Sequence, residues 1–177
     1  MKETKNELNT KEVVAQSNPD SVEALINDLG SKDGLVRMGA RQALVTIGKI
    51  ASGALVDALK SKDEGKRWEA AKALGQIGDP AAVGALIRAL EDEIFDVRWL
   101  AAEGLIAIGK PALVPLLHML IEHSDSVRLH EGAYHVLHAL HEKNLKVMLQ
   151  PLLNALGGNE ASLEVPFAAE TALKSLE

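Results

Sequence analysis

The sequence DGLVRMGARQALVTIG, at residues 33–48, decides the fold, because a close copy of it, DEGKRWEAAKALGQIG, stands at residues 63–78. In both copies an Asp is followed by Arg, Ala, Leu and Ile at matching positions, and a Gly closes the segment. The Ala, Leu and Ile are spaced i, i+4 and i+7, which places them on one face of an α-helix. Each copy therefore predicts an amphipathic helix that begins after an Asp and ends at a Gly.

A second apolar motif precedes each copy, and it occurs five times along the chain. Its first Leu is Leu25, Leu55, Leu86, Leu116 and Leu152, at spacings of 30, 31, 30 and 36 residues. Within each motif Leu recurs at i and i+4, which is a second helical stripe. Since one helix pair cannot cover its own apolar face, neighbouring pairs must stack.

These observations predict an all-α protein, a right-handed α-solenoid or superhelix of about five antiparallel helix pairs. The predicted repeats cover about 20–49, 50–79, 80–110, 111–143 and 144–177, as a single domain over 20–177. Residues 1–19 are polar and are expected to form an N-terminal cap, with one short helix from Thr10 to about Ser17.

The composition excludes several classes of function. The net charge is −6, and the Lys and Arg residues are scattered among acidic ones, so no basic face for nucleic acid is expected. The chain has no Cys, which removes disulfides, thiolate nucleophiles and zinc–thiolate sites. The N-terminus is polar, and no apolar run is long enough to span a bilayer. We therefore expect a cytoplasmic protein that binds neither nucleic acid nor membranes and needs no cofactor.

The repeated motif resembles that of the HEAT-repeat family, and more narrowly the short HEAT-like repeats of phycobilisome (PBS) lyases. The order Asp, Val-Arg, Ala, Ala-Leu and Ile-Gly stands at residues 33–48 and, with Lys66 in place of Val, at residues 63–78. The resemblance covers roughly residues 20–177 and implies a solenoid. It also implies a scaffold whose second helices line a concave face that binds another protein.

Both tryptophans occupy the same place in their repeats. Trp68 follows Arg67 and Trp99 follows Arg98, while Met38 follows Arg37. Trp and Met make large, adaptable contacts with partners, so we favour an exposed binding stripe. The alternative is that both tryptophans pack between adjacent second helices. Read through the resemblance, the partner-binding residues of the concave face are Leu35, Met38, Gln42, Trp68, Glu69, Lys72, Phe95, Trp99, Leu100 and Glu103.

One Arg stands at a fixed place in each of the first four repeats, with Asp residues nearby. This pattern favours a ladder of side-chain bonds that ties consecutive repeats together, rather than an anion site. The ladder residues are Asp33, Arg37, Asp63, Arg67, Arg98 and Arg128. In the fifth repeat Glu164 takes the Arg place, which predicts a weak joint there.

All six histidines lie between His118 and His141. On the second helix of repeat four, one line of side chains carries imidazoles and carboxylates, namely Glu131, His135, His138 and Glu142. Such a line can bind a transition metal. His130-Glu131 is also similar to the His-Glu pairs of deoxyhypusine hydroxylase, an iron enzyme built of HEAT repeats. Repeats one to three lack matching pairs, so we expect a solvated helix face without a metal.

Three functional hypotheses follow from these features. The favoured one is a non-enzymatic scaffold or adaptor that binds another protein on the concave face. The alternatives are a metal-dependent enzyme of the deoxyhypusine-hydroxylase type, using the His/Glu cluster of repeat four, and a bilin-lyase-like subunit. The chain stops at Leu176-Glu177 without a polar capping repeat, so a homo-oligomer formed through the C-terminal repeat is a further expectation.

Overall fold

The computed structural model describes residues 19–140 and 143–176 of the chain, and its secondary structure within these ranges is helical, with no strand. The all-α prediction is therefore confirmed. The α-helices, in pairs, are α1 (Pro19–Asp28) with α2 (Gly34–Ile47), α3 (Ser52–Ala58) with α4 (Glu64–Ile77), α5 (Val83–Ala89) with α6 (Phe95–Ile108), α7 (Leu113–Glu122) with α8 (Val127–Ala139), and α9 (Lys143–Leu156) with α10 (Ala161–Lys174). Short 3-10 turns at Gly48–Ala51, Pro80–Ala82 and Lys110–Ala112 join successive pairs. The predicted helix from Thr10 to Ser17 lies outside the described residues.

The helix ends follow the predicted signals. Asp33 accepts a hydrogen bond from the backbone N–H of Leu35 at 2.8 Å, and Asp63 accepts one from Lys66 at 3.0 Å. These carboxylates satisfy amide groups that the first turn of a helix leaves without a partner. Gly48, Gly78 and Gly109 follow α2, α4 and α6 with φ of 74°, 65° and 77°. Only Gly adopts such angles without steric cost, so each one ends its helix.

The chain divides near Ala82 into two compact units. In the first unit α2 and α3 pack against α4, and α1 packs against α2. The core is aliphatic, and its largest fully buried side chains are Leu29, Leu44, Leu55 and Leu74. The predicted inner face of α2 is confirmed, because Ala40, Leu44 and Ile47 are all buried.

The second unit contains α5 to α10. Here α6 packs against α5 and α8, and α10 packs against α7 and α9. Leu86, Leu105, Leu116 and Leu120 have no exposed surface. On α10, Leu163 and Phe167 are exposed, and self-association through this repeat stays a prediction.

A search for membrane spans over the described residues finds no single helix that is both long and apolar enough. Two consecutive helical segments, Phe95–Ile108 and Lys110–Glu122, together reach the length and apolar composition of a membrane span, but a bend of 117° separates them.

Two helical glycines should respond oppositely to Ala. A Cβ added at Gly39 in α2 would have no neighbour within 4 Å, whereas one at Gly132 in α8 would lie 2.9 Å from Leu90 Cδ2 and 3.3 Å from Leu90 Cβ. Because Leu90 is fully buried, it has no room to move away. We expect Gly39→Ala to raise the free energy of unfolding by about 0.5–1 kcal/mol through helix propensity. We expect Gly132→Ala to lower it by about 1–2 kcal/mol through overpacking.

Urea unfolding followed by circular dichroism measures both changes. An equal gain in stability from the two substitutions would contradict the close approach of α8 to Leu90.

Candidate functional site

The second unit carries a group of exposed rings on its second helices α6 and α8. Phe95 is 61% exposed and Trp99 is 47% exposed, which is unusual for aromatic side chains. Their ring centroids are 6.4 Å apart, and the Trp99 ring stacks on His135 with centroids at 4.6 Å. His135 Nε2 lies 2.8 Å from Oε1 of Glu103. We call Phe95, Trp99, Glu103 and His135 the aromatic patch.

Helical spacing explains how the patch forms. Phe95, Trp99 and Glu103 are at i, i+4 and i+8 on α6, so they lie along one face of that helix. The opposite face of α6 packs inward through Val97, Ala101 and Leu105, which are buried. Since α8 packs against α6, His135 is placed beside Trp99.

Charged groups surround the patch. A small cavity of about 150 Å³ beneath it is lined by Trp99 and His135 together with Arg98, Arg128 and Glu131. The Arg98 guanidinium lies 5.4 Å from the Phe95 ring centroid. An apolar ring surface with guanidinium groups at its edge suits an apolar anchor that carries a polar or acidic flank.

The patch brings together three of the predicted partner-binding residues, Phe95, Trp99 and Glu103, while Leu100 is half-buried beside them. Sequence reasoning missed the fourth member, because it grouped His135 with candidate metal ligands. A signal was available: His135 comes two residues after the core Ala133, as Glu103 comes two residues after Ala101. Equal positions in consecutive repeats lie side by side in a stack.

In the first unit the predicted partner-binding residues separate into exposed and covered groups. Leu35 is 73% exposed and Met38 is 50% exposed, and Gln42 is exposed as well. Trp68 is half-buried, because Lys72 Nζ lies 4.6 Å from its ring centroid and Arg41 lies 6.0 Å from it.

Glu69 requires a correction. Its side chain is buried at 5% exposure, and it pairs with Arg41 and, at 3.5 Å, with Nε of Arg37. The prediction that it faces a partner is wrong. It joins α2 to α4 instead, since a buried carboxylate needs a charged partner.

The arginines of the first three repeats hold the links between paired helices. In each repeat Nη1 of the Arg donates to the carbonyl oxygen six residues earlier, and more weakly to the one five residues earlier. The shorter bonds run from Arg37 to Ser31 at 2.8 Å, from Arg67 to Ser61 at 2.9 Å, and from Arg98 to Asp92 at 2.8 Å. The predicted ladder of Arg–Asp side-chain bonds between repeats is thus corrected. These bonds go to backbone carbonyls within one repeat, and Asp33 and Asp63 serve as helix caps.

Repeat four departs from this arrangement. Arg128 donates to the carbonyl of Glu91, in the link of repeat three, at 3.3 Å. In the first three repeats the Arg stands three residues before the core Ala. Counting back from the core Ala133 gives His130, so His130 occupies the place of the Arg and Arg128 precedes it by two residues. Arg128 therefore ties two repeats, as Arg37 does through its ion pair with Glu69.

Comparison with known proteins bears on this architecture. Residues 52–137 match a family model described as HEAT repeats. This segment belongs to the HEAT-repeat family. HEAT repeats imply a helical solenoid, and proteins built of them are generally scaffolds for protein interactions.

A crystal structure described as an engineered protein matches this chain at 20% identity with a TM-score of 0.42, covering 100% of this chain and 94% of that chain. A likeness at this score carries no argument about function. Among curated proteins, none matches.

The candidate metal ligands do not converge among the residues that the structure describes. His135 pairs with Glu103, and the His138 ring stacks on Tyr134 with centroids 5.9 Å apart. Among the described residues, no three His, Asp or Glu side chains are placed to hold one metal ion. Glu142 lies outside those residues. Glu131, His135 and His138 therefore form no metal site in the part of the chain that the structure describes.

Proposed function

We propose that this chain is a non-enzymatic interaction scaffold, and that its partner protein binds the aromatic patch on α6 and α8. The exposed Trp99, stacked on His135, is the observation that carries the proposal. Aromatic residues make up only 3% of the chain, and burial of a ring is strongly favoured where the core has room. A Trp held at the surface by a stacking partner is therefore typical of a binding surface.

Preorganisation supports this proposal. His135 is held by Glu103 at 2.8 Å and in turn supports the Trp99 ring. A ring that is already fixed loses little conformational entropy on binding, so more of its contact area contributes to affinity. The rim carries the guanidiniums of Arg98 and Arg128 together with the Glu131 carboxylate, and so favours a partner segment whose apolar anchor has charged groups of both signs beside it.

The first unit carries exposed side chains of its own on a second helix. Leu35, Met38 and Gln42 are exposed there, and Gln42 comes five residues after the Arg of its repeat, as Glu103 does. Among those residues Met38 corresponds to Trp99, since each follows the Arg of its repeat. A flexible Met in this place suits an adaptable contact.

Affinity capture from an extract of the source cells, followed by measurement of Kd for the captured protein, tests the proposal. Trp99→Ala should weaken binding by about 30-fold or more, which is typical of a central Trp at an interface. Phe167→Ala is the matched control, because Phe167 is 73% exposed on α10 and lies outside the patch. It should bind within about twofold of the unchanged protein.

The proposal fails if Trp99→Ala and Phe167→Ala weaken capture equally. It also fails if Trp99→Ala loses its helical circular dichroism, since Trp99 would then be needed for the fold.

A further inference from the structure

The link between α7 and α8 lacks the guanidinium that holds the links of the first three repeats. His130 stands in the place of the Arg, as the count back from Ala133 shows. Its side chain is 7% exposed, and its Nε2 atom is buried without a hydrogen-bond partner among the described residues. Leaving such a group unpaired costs free energy, so His130 is less well satisfied than the arginines of the first three repeats.

A cavity of about 680 Å³ lies beside this part of α8, and His130 is one of the residues that line it. It lies between the first turns of α8 and the link that joins α9 to α10. Its walls include His130, Glu131 and Tyr134 from α8, Asp125 from the link before α8, and Gly158 and Asn159 from the link after α9. Cavities of roughly 300–1,000 Å³ accommodate small organic ligands or single peptide side chains.

The charges of this cavity all have one sign. Asp125 and Glu131 bring two carboxylates, and no Lys or Arg is among the lining residues described. Burial lowers the pKa of His130 below its ordinary value, and the smaller effect of Asp125 raises it. The imidazole is therefore neutral at pH 7 and can pair with an N–H group, while the carboxylates repel anions.

We propose that this cavity binds an organic cation, a guanidinium or ammonium group carried on a small apolar body. The cation would take the place that the chain's own Arg occupies in repeats one to three, where Nη1 donates to link carbonyls at 2.8–2.9 Å. The Tyr134 ring offers a π-face to such a group, and Leu156 and Val127 offer apolar wall. This proposal does not depend on the aromatic patch.

Three probes test whether binding depends on the positive charge, and whether the natural ligand is a free small molecule or a peptide side chain. N-acetyl-arginine amide carries the guanidinium, and N-acetyl-citrulline amide is its neutral counterpart. Butylguanidinium represents a free small cation. We expect the arginine probe to shift the NMR signal of the His130 ring and to bind in calorimetry, and the citrulline probe to do neither. Tighter binding of butylguanidinium than of the arginine amide would indicate a free small molecule, and the reverse order would indicate a peptide side chain.

His130→Arg is the decisive variant, because it supplies the guanidinium from the chain itself. It should weaken binding of the arginine probe by more than about tenfold, since the site is then filled from within. His118→Arg makes the same change at an exposed position of α7, outside the lining of the cavity, and should bind within about twofold of the unchanged chain.

Asp125→Asn tests the proposed contribution of the carboxylate to cation binding. Asp125 is exposed, and Asn keeps the shape of the link while it removes the charge. Asp125→Asn should also weaken binding of the arginine probe by about tenfold, because the guanidinium loses a charged partner. The proposal is overturned if no cationic probe binds at millimolar concentration, or if arginine and citrulline probes bind equally. It is also overturned if His130→Arg and Asp125→Asn both bind the arginine probe as tightly as His118→Arg does.

Discussion

Glu69→Gln should lower the free energy of unfolding by about 3 kcal/mol, because it removes the carboxylate from a buried ion pair. Glu69 is 5% exposed, and the Arg41 side chain that it pairs with is 12% exposed. Arg41 Nε is already buried without a hydrogen-bond partner among the described residues, so the guanidinium depends strongly on this carboxylate. Without it, the positive charge stays buried and uncompensated between α2 and α4. Urea unfolding followed by circular dichroism measures the change.

Asp57→Asn is the matched control for this result. Asp57 accepts a bond from Lys60 Nζ at 2.7 Å, but the two side chains are 74% and 66% exposed. Because water screens an exposed pair, its loss should leave the unfolding curve unchanged within error. A double change of Arg41→Met with Glu69→Leu should recover most of the lost stability, since both charges of the pair are then removed together. If Glu69→Gln and Asp57→Asn behave alike, the buried pair does not join the two helices.

The Glu69 result also shows where prediction from sequence ends. The inner positions Ala40, Leu44 and Ile47 were predictable because a period of 3.6 residues fixes the buried face of a helix. The resemblance to HEAT repeats placed Glu69 on the partner-facing side, next to Trp68. Its partner Arg41 lies 28 residues away on another helix. No local pattern gives the register of one helix against the next, so this contact needed the structure.

Repeat four gives a second example. The pair Val127-Arg128 copies the motif of earlier repeats, which predicted that Arg128 would play their role. The structure begins α8 at Val127, whereas Arg37, Arg67 and Arg98 are each the fourth residue of their helices. His130 is the fourth residue here. The core Ala was the better reference point, because packing against neighbouring repeats fixes the register of a helix more firmly than one surface Arg does.

On α6 the fold and the candidate binding surface occupy opposite faces, and two substitutions should separate them. Leu105 has no exposed surface, so Leu105→Ala should lower the free energy of unfolding by about 3 kcal/mol through lost burial and the cavity left behind. Trp99 is 47% exposed and its main described contacts are stacking ones, so Trp99→Ala should cost about 1 kcal/mol. Urea unfolding of both variants, compared with the unchanged chain, measures the difference.

The losses in free energy of unfolding from these two substitutions show whether Trp99 is needed for the fold or can be used for binding. If Trp99→Ala is as destabilising as Leu105→Ala, the ring is part of the core and the proposed binding surface falls with it. If the two differ as expected, the chain keeps at its surface a Trp that its own stability does not require. The stack of Trp99 on His135, with the link to Glu103, then fixes the ring in place at little cost to the fold. A fixed, exposed ring of this kind favours binding, because its side chain loses little conformational entropy when the partner binds.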